Sequence, residues 1–156
     1  MKTERFQEWP ANGHQAMSML VSLFPTLRTA SGVRPWKATE FVRWAALHGH
    51  CSGSAHAVRF VLSVWNPSSD WREILKEAKA SHEDRVLHQT MQQMRREVAA
   101  SLADQRGKPP TESQIEQEVD GWLELFGPFR LADAVTVWDS AHRAAVGAWI
   151  AKPFWP

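Results

Sequence analysis

Apolar residues recur along this chain at intervals of three and four, the spacing of helices that bury one face. Asn12, followed three residues later by Gln15, makes a start resembling a capping box. Ala16, Met17, Leu20, Val21, Leu23 and Phe24 then fall at helical spacing up to Pro25. Residues 26–35 contain Thr29, Ser31, Gly32 and Pro35 with little periodicity and read as a loop. A second helix is predicted over 36–48, with Phe41, Val42, Ala45 and Ala46 on one side and Gly49 as its stop. Residues 54–65 are apolar nearly all round, which is the pattern of a buried central helix. A strand is the alternative there; the length of the run and the cap candidates Ser52 and Ser54 favour a helix.

Asn66-Pro67-Ser68-Ser69 breaks the chain, and Ser69 or Asp70 can cap a helix carrying Trp71, Ile74, Leu75 and Ala78. Ser81 with Asp84 gives a further start signal ahead of Val86, Leu87, Met91, Met94, Val98 and Leu102, so residues 70–106 form either one long helix or two. Gly107-Lys108-Pro109-Pro110 ends that stretch. Thr111 with Gln114 opens the next helix on the stripe Ile115, Val119, Trp122 and Phe126, and Gly127-Pro128 closes it. The last helix is predicted over 130–151 on Leu131, Ala134, Val135, Trp138, His142, Ala145 and Trp149. Two aromatics fenced by prolines, Pro153-Phe154-Trp155-Pro156, form a stiff apolar tail that is expected to pack back on the body. The pattern as a whole predicts an all-α, single-domain bundle of five to seven helices over residues 1–156.

A chain of 156 residues with 44% hydrophobic positions can build such a core without staples. The single cysteine, Cys51, excludes an internal disulfide framework and a four-cysteine zinc module. A reducing, cytoplasmic and bacterial setting fits that usage. The charged first ten residues and the lack of 18 consecutive apolar positions argue against secretion and membrane spanning. Nine tryptophans against no tyrosine is the strongest anomaly. Trp combines a large apolar area with one N–H that wants an acceptor, so most are expected to organise the core, and any left outside would mark a contact surface.

Net charge of +1 conceals an asymmetry. Residues 1–66 carry seven basic and three acidic side chains, net +4, and residues 111–156 carry three and seven, net −4. A basic N-terminal part could track phosphates through Arg34, Lys37, Arg43 and Arg59, or meet an acidic protein. That density falls short of a dedicated nucleic-acid stripe, and packing beside the acidic part explains it more simply. The mixed charges of 70–106 read as a solvated face, Arg95 with Arg96 being a pair rather than a patch. Met17, Met19, Met91 and Met94 are expected to fill the core rather than line a groove.

Candidate chemistry is sparse. His48, His50, Cys51 and His56 are types that ligate zinc or copper or serve thiol catalysis, but their spacing across a helix end matches no ligand pair, and no metal is expected. Asp139 and His142, at i and i+3, can form a catalytic dyad or a hydrogen bond that satisfies a half-buried imidazole between Trp138 and Trp149; the second is expected. His82 and His88 are six apart, where a zincin pair needs four. Glycine-rich nucleotide signatures are missing from the chain, and no cofactor is expected. The residues therefore favour a non-enzymatic accessory subunit that docks on a larger protein partner through aromatic and basic surface, with Arg34, Lys37, Arg43, Arg59 and Trp155 as contact candidates. A nucleic-acid-associated helical protein is the runner-up, a small metal or thiol enzyme at His48 to His56 the third reading. A homo-oligomer would bury the same aromatics.

Overall fold

A computed structural model describes residues 8–49 and 51–156. Eight α-helices are present among the described residues: α1 (Gly13–Ser22), α2 (Ala38–His48), α3 (Ser52–Trp65), α4 (Trp71–Ala80), α5 (Arg85–Arg106), α6 (Glu112–Leu123), α7 (Leu131–Val137) and α8 (Ser140–Ala151). Short 3-10 turns at Pro25–Leu27 and Glu124–Phe126 complete the regular structure. The all-α expectation is met.

Two helices organise the packing. α3 contacts α1, α2, α7 and both 3-10 turns, and buries Ala57, Val58, Phe60, Val61, Leu62 and Val64, as its apolar surround predicts. α5 packs against α2, α4 and α6 along Leu87, Met91, Met94, Val98 and Leu102. Thr90, fully buried on the same stripe, donates its hydroxyl to Val86 O at 2.7 Å, which removes the penalty of an unpaired polar group. Met17, Met91 and Met94 are core residues, whereas Met19 is exposed.

Most boundaries follow local chemistry. Asn12 caps α1 by accepting from the backbone of His14 and Gln15. Thr111 and Gln114 form a reciprocal capping box at the start of α6. Gly107 ends α5 in the left-handed region at φ 68°. The stretch 70–106 resolves into two helices, because Ser81 leaves the helical region at φ −108°, ψ 140° and Asp84 caps α5 through Leu87 N. At that corner His82 and His88 rings lie 4.0 Å apart, and His88 Nδ1 meets Ala78 O at 2.8 Å.

The predicted helix over 130–151 is two helices. Trp138 turns extended at φ −80°, ψ 142°, and Asp139 becomes the N-cap of α8, accepting from His142 N at 2.9 Å. The Trp138 indole N–H is drawn to Gly53 O at 3.1 Å on α3. A tertiary bond and a local cap together outweigh an uninterrupted apolar period.

Candidate functional site

Of the nine tryptophans, Trp36, Trp71 and Trp138 are buried, Trp155 is exposed, and the rest are half-buried. A ladder of rings carries the C-terminal tail into the body. Trp155 meets Trp149 edge-on at 5.1 Å, Trp149 meets Phe60 at 5.6 Å, Phe60 meets Phe129 at 5.2 Å, and Phe129 stacks on Trp138 at 5.8 Å. Phe154 lies against Trp9 at 5.1 Å, Trp149 donates its indole N–H to Phe154 O, and Trp9 donates to Lys152 O. The tail thus packs back, yet Trp155 stays 62% exposed. Around the ladder, Leu131, Val135 and Val137 of α7 and Ile150 of α8 are exposed as well. Five of the six exposed large hydrophobics among the described residues fall within 131–155.

The basic candidates sit on different elements. Arg34 donates to Ser22 Oγ at 2.8 Å on α1, Lys37 stands exposed at the start of α2, and Arg43 is half-buried on α2. Arg59, on α3, reaches the opposite end of the chain. Its Nε donates to Leu125 O at 3.1 Å and its Nη2 to Glu124 O at 2.9 Å, capping the carbonyls of the second 3-10 turn. Arg95 is held by Glu112 and Glu116 of α6, so it too is engaged internally.

Arg59 lines two adjoining depressions. The larger, about 480 Å³, opens between the end of α3, the start of α4 and residues 126–129, with Leu62, Trp71, Phe126 and Phe129 as its apolar walls. The smaller, about 190 Å³, adds His56, Glu124, Arg130 and Asp133. Arg72 also lines the larger one but is bracketed by Asp70 at 3.2 Å and Glu124 at 3.3 Å. The bond with Arg72 holds the Asp70 carboxyl below its ordinary range and raises the guanidinium. Burial pushes Arg59 down, with Arg130 adding to it and Glu124 and Asp133 opposing. His56 is lowered by burial and then by the Arg59 charge. Trp71 Nε1 and His56 Nδ1 are buried without an acceptor or donor.

A second polar constellation centres on a buried histidine and reaches the surface at its carboxylate. His142, 4% exposed, has Nδ1 2.8 Å from Asp139 Oδ1 and Nε2 2.9 Å from Thr26 Oγ1. Thr26 is the member that sequence reasoning missed, since it lies 116 residues away. The imidazole packs on Trp138 at 5.8 Å and Phe24 at 5.9 Å, and not on Trp149 as the sequence suggested. An acid, a base and a hydroxyl in line have the geometry of a hydrolytic relay. Here the ring is 4% exposed, packed against aromatics, and has a partner at each nitrogen.

At the third candidate, His50 lies outside the described residues. Cys51 is exposed at the N-cap of α3, and Ser54 Oγ, 3.1 Å away, holds its thiol below the ordinary value. His48 stacks on Trp44 at 5.8 Å, and His56 faces Trp138 edge-on. Among the described residues, no three His, Cys, Asp or Glu side chains converge as a metal ion requires. No helix among them is long and apolar enough to cross a membrane. No protein-family model, characterised protein or solved structure matches this chain.

Proposed function

We propose that this protein is a non-enzymatic interaction module, an accessory subunit that docks on a larger protein partner through the face built from α7, α8 and the tail. The observation that carries this reading is the concentration of exposed Leu131, Val135, Val137, Ile150 and Trp155 in one C-terminal stretch. Exposed apolar residues gathered in one region, with a half-anchored Trp among them, mark a contact surface rather than a solvated one. The same stretch of chain carries both Arg130, Arg143 and Lys152 and Asp133 and Asp139, a mixed charge that suits a protein surface and repels a polyanion in part. The reading moves the contact from the basic N-terminal half to the C-terminal end, keeping Trp155 from the earlier candidates. Nucleic-acid association through Arg34, Lys37, Arg43 and Arg59 is disfavoured because a net +4 over residues 1–66 falls short of a dense basic stripe. A reducing, cytoplasmic setting accords with the lone Cys51.

The test compares tagged wild-type protein with the variant Val135→Asp/Ile150→Asp/Trp155→Ser in capture from host lysate. The three sites are exposed, so the variant should keep its helical signal and lose about 1 kcal/mol of stability or less. A stoichiometric protein held by the wild type under nuclease and high salt, and absent with the variant, is the expected result. Equal capture by both, or capture that disappears with nuclease, would overturn the reading. Self-association of the wild type, abolished in the variant, would assign the face to a second copy instead.

A further inference from the structure

We infer that the cleft between the end of α3 and the start of α4 binds a small organic acid, an aryl or bulky alkyl carboxylate, with Arg59 as its anion anchor and Trp71 among its walls. The inference does not rest on the docking face, although Arg130 borders both.

Size and lining come first. About 480 Å³ lies within the range of pockets that hold small molecules, and Leu62, Trp71, Phe126 and Phe129 give it apolar walls beside the polar Asn66, Ser68 and Asp70. Such walls select a ring or a compact hydrocarbon body. The charges then select the other end of the ligand. Two guanidiniums line the cleft, and they differ in state. Arg72 is neutralised by Asp70 and Glu124, both within 3.3 Å. Arg59 is half-buried and donates only to the neutral carbonyls of Glu124 and Leu125, with no carboxylate within ion-pair distance among the described residues. A partly desolvated cation bonded only to carbonyl oxygens gains from an incoming carboxylate more than a solvated or already paired one does. The third feature is Trp71. It is 8% exposed, it lines the cleft, and its indole N–H has no acceptor. The N–H atom itself is covered, so a bound ligand meets the indole ring, whose N–H signal reports on occupancy. Across Arg59, His56 and Arg130 line the adjoining depression together with the carboxylates Glu124 and Asp133, so the acid group is expected on the larger side.

The probes are 1-naphthaleneacetate, phenylacetate and cyclohexaneacetate, each paired with its primary amide, which has the same body and no charge. Titration is followed by calorimetry and by the Trp71 indole N–H cross-peak, assigned with Trp71→Phe. At least one acid should bind with a dissociation constant below about 1 mM, its amide about tenfold or more weaker, and the Trp71 cross-peak should shift on binding. Arg59→Met should abolish binding. Because Arg59 also caps two carbonyls, Ser68→Trp serves as the independent variant: it fills the cleft from an exposed loop position, leaves Arg59 intact and should abolish binding too. Equal affinity for acid and amide, binding untouched by Ser68→Trp, or no binding by any acid at about 1 mM would overturn the inference. Binding of a peptide ending in a free aromatic carboxylate, with none of the free acids, would also overturn it and identify the anion as a chain terminus.

Discussion

Thr26 and His142 meet across 116 residues of sequence, Oγ1 to Nε2 at 2.9 Å, while Asp139 takes the other ring nitrogen at 2.8 Å. With the carboxylate accepting from Nδ1–H, Nε2 is the acceptor and the Thr26 hydroxyl donates to it. Thr26→Val keeps the shape and removes the donor, leaving a buried acceptor unpaired, at a cost of about 1–3 kcal/mol. In a chain of this size that corresponds to a fall in Tm of roughly 3–10 °C. Thr26→Ser retains the hydroxyl and should lie closer to wild type. Thermal unfolding of the pair decides it: equal midpoints would mean the bond contributes nothing.

Stability should decline on acidification, and two groups fix the direction. The His142 backbone N–H, then its ring, holds the Asp139 carboxyl below its ordinary value, so the unfolded chain takes up this proton first. Stability from Asp139 is complete above the ordinary carboxyl range and is lost as pH falls through the depressed folded value. His56, lowered by burial and by Arg59, behaves alike near neutrality: its contribution is full above the ordinary histidine value of 6.5 and diminishes as pH falls below it. Denaturant unfolding at a series of pH values should show midpoints dropping below neutrality, and His56→Gln should flatten the part of the curve just below pH 6.5.

These relationships show what the residue pattern could and could not reveal. The capping box of Thr111 and Gln114 and the stop at Gly107 were legible, because each is complete within four residues. The break at Trp138 was not, since Leu131, Val135, Trp138 and His142 keep helical phase straight across it. What interrupts the helix is the Trp138 indole bonding Gly53 O, 85 residues away. Asp139 three residues before a backbone N–H was the available hint, readable as a cap as well as a dyad. Arg59 was visible as a cation, but its role depends on carbonyls 65 and 66 residues along the chain. Thr26 carried no signal at all within its own loop.

Two glycines with positive φ should respond differently to alanine. Gly32, φ 75°, would place a Cβ 2.5 Å from Phe41 N and 2.7 Å from Lys37 O, against backbone that opens α2. Gly107, φ 68°, has open space around the same position. Gly107→Ala should cost only the left-handed penalty of about 1–2 kcal/mol. Gly32→Ala adds a steric clash and should cost clearly more, or fail to fold. Urea midpoints of the two variants measure the difference.

Glu116 joins three helices, accepting from Lys79 of α4 at 2.5 Å and from Arg95 of α5 while sitting on α6. Its carboxylate is 41% exposed, so solvent screens the network. Glu116→Gln should cost about 1 kcal/mol or less at low salt, and the difference from wild type should shrink as salt rises. A loss several times larger, or one indifferent to salt, would contradict a screened network.

The contacts of the tail have a topological consequence. Trp9 donates to Lys152 O at 2.8 Å, Phe154 lies tilted against Trp9, and Pro156 lies so close to Gly13 that a Cβ there would be 2.9 Å from the proline ring. Trp9 and Gly13 on one side and Lys152 to Pro156 on the other therefore share one patch of surface, and the backbone between them traces an almost closed circuit. A circular permutant joined at that seam and reopened in the exposed stretch at Gly107 and Lys108 would run through the same eight helices in a new order.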